Sequence, residues 1–225
     1  MFIGHFGLSF GVKKAAPRIS LVTLFLATQF VDILWPFMLL LGIERVNIVP
    51  GHTEMNAFDF VHYPYTHSLL MGVVWGAVLG AIYWAIKRDV RDAVIVGLCV
   101  LSHWFLDLVV HVADLPLTPF TSGKYGWGLW NHLGATLLLE GIIFFGGVYL
   151  YLKGTRAINK AGRWNIWLLV AVLVLMNISN IISPPPPADA LGTMVVSFNV
   201  VFAILLGLAY WVDRSRQSIV ADHKA

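Results

Sequence analysis

The sequence predicts an all-α membrane protein, a polytopic bundle of about six transmembrane helices with a short N-terminal re-entrant or interfacial helix. The first observation behind this class is composition, because 58% of the 225 residues are hydrophobic and only 12% are charged. The second is length, because apolar stretches near the ~20 residues needed to cross a bilayer recur along the chain. Residues 1–12 are apolar but too short to cross. Hydropathy places the spans at residues 19–42, 67–86, 93–112, 132–152, 165–183 and 190–211.

The basic residues predict how the bundle is oriented. Thirteen of the 15 Lys and Arg residues fall on one side of the predicted spans, and only Arg45 and Lys124 fall on the other. By the positive-inside rule, both termini are expected in the cytoplasm, with loops 43–66 and 113–131 on the outer face of the membrane. The dispersed basic residues and a net charge of +3 provide no patch for nucleic acid.

The chain is predicted to form one membrane domain, residues 1–225, because no internal repeat is visible. Residues 1–153 contain the spans that carry ionisable side chains, and the two helices within 164–212 are predicted to be scaffold. The only cysteine, Cys99, lies in an apolar span, which excludes an internal disulfide and a cysteine-rich zinc cage.

The third predicted span carries three ionisable residues at regular spacing. His103, Asp107 and His111 are four residues apart within the apolar run Val94–Val112. This spacing places all three on one face of a helix. Each ionisable group at membrane depth costs roughly 2.5 to 3.5 kcal/mol, so three on one face are expected to have partners or a function. We interpret this face as half of a metal site.

Other spans carry acids or imidazoles at matching depths. At 1.5 Å per residue, Asp32 lies roughly 21 Å from the inner edge, and His103 and Asp107 lie roughly 16 to 22 Å from it. His67 lies at the outer mouth of its span, and Glu140 lies roughly 12 Å below the start of the fourth. These side chains are therefore expected to share one layer in the outer half of the membrane.

Two further features bear on this layer. Pro36 cannot donate the amide hydrogen that normally bonds the Asp32 carbonyl, so a kink with room for an ion is predicted there. If residues 1–12 fold back into the bilayer, His5 arrives roughly 12 Å deep and becomes a further ligand. His62 and His132 are additional candidates, although histidines in loops and at helix starts usually lie on the surface.

The donor set indicates metal chemistry. Carboxylates and imidazoles without thiolates suit zinc, manganese or iron, and zinc is expected first. A metal site that keeps a water lowers the pKa of that water from 15.7 to about 7, which favours hydrolysis. Three alternatives stay open: His103 and Asp107 pair only with each other, His111 is an ordinary interfacial residue, or Glu140 is an isolated charge facing a pore or a partner subunit.

Four strings of the sequence carry a resemblance to one family: FIGHF at 2–6, FVDILWP at 30–36, HYPYTHSL at 62–69 and LSHWFLD at 101–107. In motif order, roughly over residues 1–150, they resemble the bacterial membrane-bound metal-dependent hydrolases of the LexA-regulated inner-membrane type. The resemblance implies that the metal ligands are His5, Asp32, His67, His103 and Asp107.

A looser similarity is to the ligand order of the zinc phospholipase C and S1-nuclease group. That order is followed here by Asp32, His67, His103 with Asp107, His111 and His132. The chain departs from it because residue 136 is Thr and Glu140 comes eight residues after His132 instead of four. We therefore expect one metal ion, held by Asp32, His67, His103 and Asp107, instead of a three-metal cluster.

The leading hypothesis is a membrane-embedded hydrolase that acts on a phosphoester or ester of a lipid from the outer leaflet. In it, Glu140 is the general base or a second metal ligand, and His111 stabilises developing charge or orients a ligand. The rivals are a divalent-cation transporter or channel, and a non-catalytic scaffold with a structural metal. Lipid is then both solvent and substrate, and an oligomer is compatible with the sequence.

Overall fold

The computed structural model describes residues 1–187 and 191–219, without the side chain of Leu191. It is a bundle of helices with short strands in the loops. The helices are α1 (Ile3–Ala15), α2 (Leu21–Thr28), α3 (Phe30–Leu40), α4 (Pro64–His67), α5 (Leu69–Lys87), α6 (Val90–Val110), α7 (Leu133–Gly154), α8 (Ala161–Ile182) and α9 (Leu191–Ser215).

The membrane-spanning capacity of these helices confirms the predicted fold class. Within the described residues, α5 to α9 are each long and apolar enough to cross a membrane, and α2 with α3 forms a sixth span if the bent pair is counted as one. The spans predicted at 67–86, 93–112, 132–152 and 165–183 correspond closely to α5 to α8, and 190–211 begins in the segment that the structure does not describe.

The first predicted span differs from expectation in where it is distorted. The kink was expected at Pro36, but α3 continues through this proline, and the 49° bend lies between α2 and α3 at Gln29. Gln29 has a non-helical backbone (φ −106°, ψ 8°). The adjacent carbonyl of Thr28 accepts a hydrogen bond from the ring of His103 (2.7 Å). A carbonyl that accepts a hydrogen bond from a side chain is not available for the regular helix hydrogen bond, and this explains why the helix breaks at that point.

The two long loops, 43–66 and 113–131, contain short antiparallel strands. The first loop forms the hairpin of β1 (Arg45–Ile48) and β2 (Phe58–His62), with a bulge in its register. The second pairs β3 (Leu115–Pro116) with β4 (Lys124–Tyr125) and continues into a 3₁₀ turn at Leu129–Asn131. Two-residue strands carry almost no periodic signal, so hydropathy could not find them.

The short helix α1 lies in the interior of the bundle. Phe6 and Phe10 are fully buried against Phe25 of α2, with ring centroids 4.8 and 5.2 Å away. Along its other face α1 packs on α7 through Gly7 and Gly147, so closely that an added Cβ on Gly7 would lie 2.6 Å from backbone atoms of α7. This contact holds the N-terminal part of α1 in the interior, as the fold-back prediction requires.

Helices α5 and α6 form a second close pair. Gly72, Gly76 and Gly80 are the buried residues of α5, as their four-residue spacing predicts. A Cβ on Gly76 would lie 2.6 Å from the carbonyl oxygen of Gly97 on α6. The glycines therefore let the two backbones touch and fix the position of α6.

The loops that carry most basic residues meet at one end of the bundle, which we call the basic end (residues 13–18, 87–91, 153–163 and 214–218). Arg18 forms ion pairs there with Asp89 and Asp92 (2.7 and 3.3 Å). Strand β5 (Thr155–Ala157) pairs with β6 (Arg216–Ser218) at the same end. Helix α6 starts from this end, so His103, 13 residues beyond Val90, lies about 20 Å along its axis.

Candidate metal centre

Four helices bring five ionisable side chains together in what we call the His–Asp cluster. They form two groups in which the candidate ligand atoms all lie within 4.8 Å of one another, and both groups contain His103. The structure therefore has histidine and aspartate groups that could hold a metal ion. The cluster consists of His5 (α1), Asp32 (α3), His67 (α4), and His103 and Asp107 (α6).

His103 is the centre of the cluster. Its Nε2 atom lies 3.0 Å from Asp107 Oδ2 and 3.5 Å from Asp32 Oδ1. His67 Nε2 lies 3.2 Å from the same Asp32 oxygen. His5 stacks on His103 with ring centroids 3.8 Å apart, and its Nε2 lies 3.1 Å from Asp107 Oδ1. Asp107 also accepts a hydrogen bond from the amino group of Met1 (2.6 Å).

The orientation of His103 leaves one nitrogen facing two carboxylates. Its Nδ1 is hydrogen-bonded to the Thr28 carbonyl, and a carbonyl only accepts, so Nδ1 carries the hydrogen. Nε2 has no hydrogen-bond partner among the described residues. A bare nitrogen lone pair beside two carboxylates is repelled by both, so the arrangement requires a cation, either a proton on Nε2 or a metal ion between the donors.

The spacing of the donors is close to that of a metal site. In tetrahedral zinc sites the metal lies about 2.0 to 2.2 Å from nitrogen and oxygen ligands, which places neighbouring ligand atoms about 3.3 to 3.5 Å apart. The four nitrogen–oxygen distances around Asp32 and Asp107 are 3.0 to 3.5 Å. Three of these distances are shorter than that spacing, so the residues present fit a zinc-sized ion in donor type, and the donors would separate by about 0.1 to 0.3 Å to hold one.

His111 lies beside the cluster instead of in it. It caps the C-terminal end of α6, and its Nε2 is 3.7 Å from Asp107 Oδ2. Its Nδ1 lies 3.0 Å from Asp114 Oδ1, which also accepts a hydrogen bond from the Tyr63 hydroxyl (2.7 Å). Burial and the Asp114 carboxylate raise the pKa of Tyr63 well above 10, so the hydroxyl stays protonated and donates. The ring of His111 is thereby held with Nε2 toward Asp107.

Glu140, a residue of α7, is fully buried next to the start of α1. One oxygen, Oε2, accepts hydrogen bonds from the backbone N–H groups of Phe2 (3.0 Å) and Gly4 (3.2 Å). The other, Oε1, has no hydrogen-bond partner among the described residues. Glu140 is outside both candidate ligand groups. Its observed contacts hold the first turn of α1, from which His5 projects into the cluster.

The two additional candidate metal ligands, His62 and His132, lie outside the cluster. His62 ends strand β2 and packs its ring against Tyr65, and His132 is exposed at the start of α7. Neither belongs to a candidate ligand group among the described residues. His132 therefore lies apart from the cluster, and the similarity to the zinc phospholipase C and S1-nuclease group stays a prediction.

A cavity of about 830 Å³ opens onto the cluster. Asp32, His67 and Asp107 line it, together with His111 and Glu140. The opposite walls are the β1–β2 hairpin loop and the facing ends of α8 and α9. Large apolar side chains also line it, among them Trp35, Phe58, Phe60, Trp130 and Phe198.

Sequence reasoning missed three residues whose hydrogen bonds lead to the histidines of the cluster. The Thr28 carbonyl orients His103, Thr66 contacts His67 Nδ1 through its hydroxyl (2.7 Å), and Glu44 accepts a hydrogen bond from that hydroxyl (2.7 Å). Thr66 does lie inside the YPYTHSL string, so its proximity to His67 was visible. Glu44 gave no signal, because a single acid in a loop is usually solvated.

These features define a multi-pass membrane protein with a candidate metal centre buried among its helices. The sequence profile of the YdjM inner membrane protein family matches residues 5–183, a range that includes the whole His–Asp cluster. The chain therefore belongs to this family of inner membrane proteins. No curated protein and no solved structure matches the chain. The resemblance to the LexA-regulated inner-membrane family is thus supported, and the hydrolase activity stays a prediction.

Proposed function

We propose that this protein is a membrane-embedded, metal-dependent hydrolase that cleaves an ester or phosphoester of a lipid or similar amphiphile. The observation that carries the proposal is the placement of His103 Nε2 between the Asp32 and Asp107 carboxylates, on one side of a large cavity. An ionisable cluster of this kind is expensive in a membrane unless it binds something.

In this proposal the site lies in the outer half of the membrane. The positive-inside rule assigns the basic end to the cytoplasm. Helix α1 starts at the cluster, where the Met1 amino group bonds Asp107, and ends at this basic end. The cavity faces the opposite end, where the β1–β2 hairpin lies. The substrate therefore belongs to the outer leaflet.

Zinc is the first candidate for the metal, with manganese or iron as alternatives, because the donors are nitrogen and oxygen without thiolate. The proposed ligands are Asp32, His67, His103 and Asp107, with His5 as a further donor. A bound divalent ion supplies Lewis acidity, which activates water and polarises an ester or phosphoryl oxygen.

The remaining residues of the cavity have separate tasks. The aromatic walls fit an acyl chain and exclude water from the cluster. Glu140 presents its unpartnered Oε1 in a buried position, with Oε2 fixed by two backbone donors, and this suits a general base. His111, held by Asp114, lies where it can stabilise developing negative charge or orient Asp107.

Metal content and hydrolysis test the proposal on the purified full chain in detergent or nanodiscs. We expect one bound metal per chain by elemental analysis, and its loss in Asp107→Asn. Asp59→Asn, in the hairpin and outside the cluster, is the matched control and should keep the metal. Metal retained stoichiometrically by Asp107→Asn would refute the assignment. A metal-loaded protein without activity on a panel of lipid esters and phosphoesters would leave a structural metal and refute the hydrolase.

Cation transport predicts a different interior. A passage requires polar groups between the cluster and the basic end. The residues that α6 buries on that side of His103 include Val96, Cys99 and Val100. The buried Ser9 and Thr28 hydroxyls on the neighbouring helices bond each other and backbone carbonyls, which supports a closed cavity. We therefore expect no uptake of zinc into proteoliposomes, and uptake that stops on Asp32→Asn would favour the transporter.

A further inference from the structure

We propose that Glu44 is a positioning residue that acts through the hydroxyl of Thr66 to hold His67 in the tautomer that can bind a metal ion. The inference rests on the proposed metal centre. It assigns a role to a buried acid that lies in a loop and touches none of the candidate ligands directly.

Glu44 is buried and fully engaged, although it comes from the loop after α3. Only 1% of it is exposed. Its Oε1 accepts hydrogen bonds from the backbone N–H groups of Tyr65 (2.8 Å) and Thr66 (2.9 Å), and its Oε2 accepts one from the Thr66 hydroxyl (2.7 Å). A carboxylate is costly to bury, and here it is compensated by three donors from the segment that carries His67.

The direction of the hydrogen bonds fixes the tautomer of His67. The Thr66 hydroxyl has one hydrogen, and the carboxylate at 2.7 Å takes it in preference to the Tyr63 carbonyl at 3.5 Å. The hydroxyl oxygen must therefore accept from His67 Nδ1, 2.7 Å away. With the hydrogen on Nδ1, the nitrogen left for a metal ion is Nε2, which lies 3.2 Å from Asp32 Oδ1.

The other two histidines on this side of the cavity show why a carboxylate is required here. His103 uses a backbone carbonyl and His111 uses the Asp114 carboxylate, and each of these groups only accepts. A threonine hydroxyl can either accept or donate, so by itself it does not choose the tautomer. Glu44 removes this ambiguity because it leaves the hydroxyl with no hydrogen to give to His67.

Glu44→Gln tests the direction of the hydrogen bonds from His67 through Thr66 to residue 44, because it keeps the shape of the Glu44 side chain. The glutamine carbonyl can keep the two backbone hydrogen bonds, and its NH₂ group then faces Thr66 and donates. The hydroxyl hydrogen turns to His67 Nδ1, and the ring hydrogen moves to Nε2, where it blocks the metal. Loss of such an outer hydrogen bond typically weakens metal binding about 10- to 100-fold.

The experiment measures zinc affinity by competition with a chromophoric chelator, on the full chain in detergent. We expect a Kd increased about 10- to 100-fold in Glu44→Gln and in Thr66→Val, and a wild-type Kd in Thr66→Ser, which restores the hydroxyl. Asp59→Asn controls for loss of an acid from the same loop region. ¹⁵N NMR of histidine-labelled, metal-free protein reads the ring hydrogens directly and should show a hydrogen on His67 Nδ1 in the wild type that is lost in Glu44→Gln.

The outcomes separate this inference from the proposed function. If the wild type binds zinc and Glu44→Gln and Thr66→Val bind it equally well, the positioning role is refuted and the metal centre stands. If the wild type binds no divalent metal, both are refuted. If Glu44→Gln does not fold, the contrast between Thr66→Val and Thr66→Ser decides, since both keep Glu44 and its backbone bonds.

Discussion

Replacing Gly147 with alanine should displace α1 and weaken metal binding from a distance. A Cβ at this position would lie 2.7 Å from the carbonyl carbon of Gly7 and closer still to its oxygen. Ordinary contact between such atoms begins at about 3.5 Å, so α1 and α7 must separate by about 1 Å. Overpacking of this kind costs about 1–3 kcal/mol in the free energy of unfolding.

The same displacement acts on the cluster because His5 is half a turn from Gly7. Metal–ligand distances are confined to about ±0.2 Å, so a shift of about 1 Å removes His5 from the coordination sphere. We expect the zinc Kd to rise at least about 10-fold in Gly147→Ala, approaching the value of His5→Ala. Both are measured by chelator competition, with thermal unfolding recorded on the same samples.

Gly146→Ala is the matched control, because nothing lies within 4 Å of a Cβ at that position on the same helix. It should leave the zinc Kd and the melting temperature unchanged. A Gly147→Ala protein that melts earlier but binds zinc within about twofold of wild type would show that α1 contributes no ligand, and the role assigned to His5 would be wrong.

Three other predictions follow from the packing and the cluster. Zinc at 100 times its Kd should raise the free energy of unfolding by about 2.7 kcal/mol in a thermal or denaturant melt, an increase that a chelator abolishes and that Asp107→Asn never shows. Asp114→Ala leaves the Tyr63 hydroxyl and His111 Nδ1 without their acceptor, and should lower stability by about 1–3 kcal/mol, with an unchanged melt counting against these bonds. Gly76→Val should separate α5 from α6 and lower the melting temperature by overpacking, whereas Gly207→Ala, where an added Cβ meets nothing, should not.

The sequence predicted which ionisable groups lie at the same level along the bundle but not which of them touch, and the reason is geometric. Rise per residue is nearly constant in a helix, so counting residues placed Asp32, His103 and Asp107 in one layer. Rotation about each helix axis and the choice of neighbouring helices depend on packing, which no residue count contains. His62 and His67 stand in the same short string, and only the fold shows that α4 turns His67 inward and leaves His62 beside Tyr65.

The sequence also could not predict the second role of a residue that has two. Glu140 was expected as a base or a metal ligand, and the structure adds a task that its position alone could not reveal, because its oxygen holds two N–H groups of α1. These N–H groups have no partner within their own helix and require an outside acceptor. Which acid would supply it depends on how α1 packs against α7, through a contact between two glycines far apart in the sequence.

The bend at Gln29 is best understood as part of the site. The Thr28 carbonyl bonds His103 Nδ1, and the chain changes direction by 49° immediately after it. The same bond directs His103 Nε2 toward the two carboxylates, one of which, Asp32, is carried by the helix that begins after the bend. Because one hydrogen bond both turns the chain and orients the ligand, the backbone that brings Asp32 to the cluster and the ring that meets it are set together, and Pro36 is not needed to explain either.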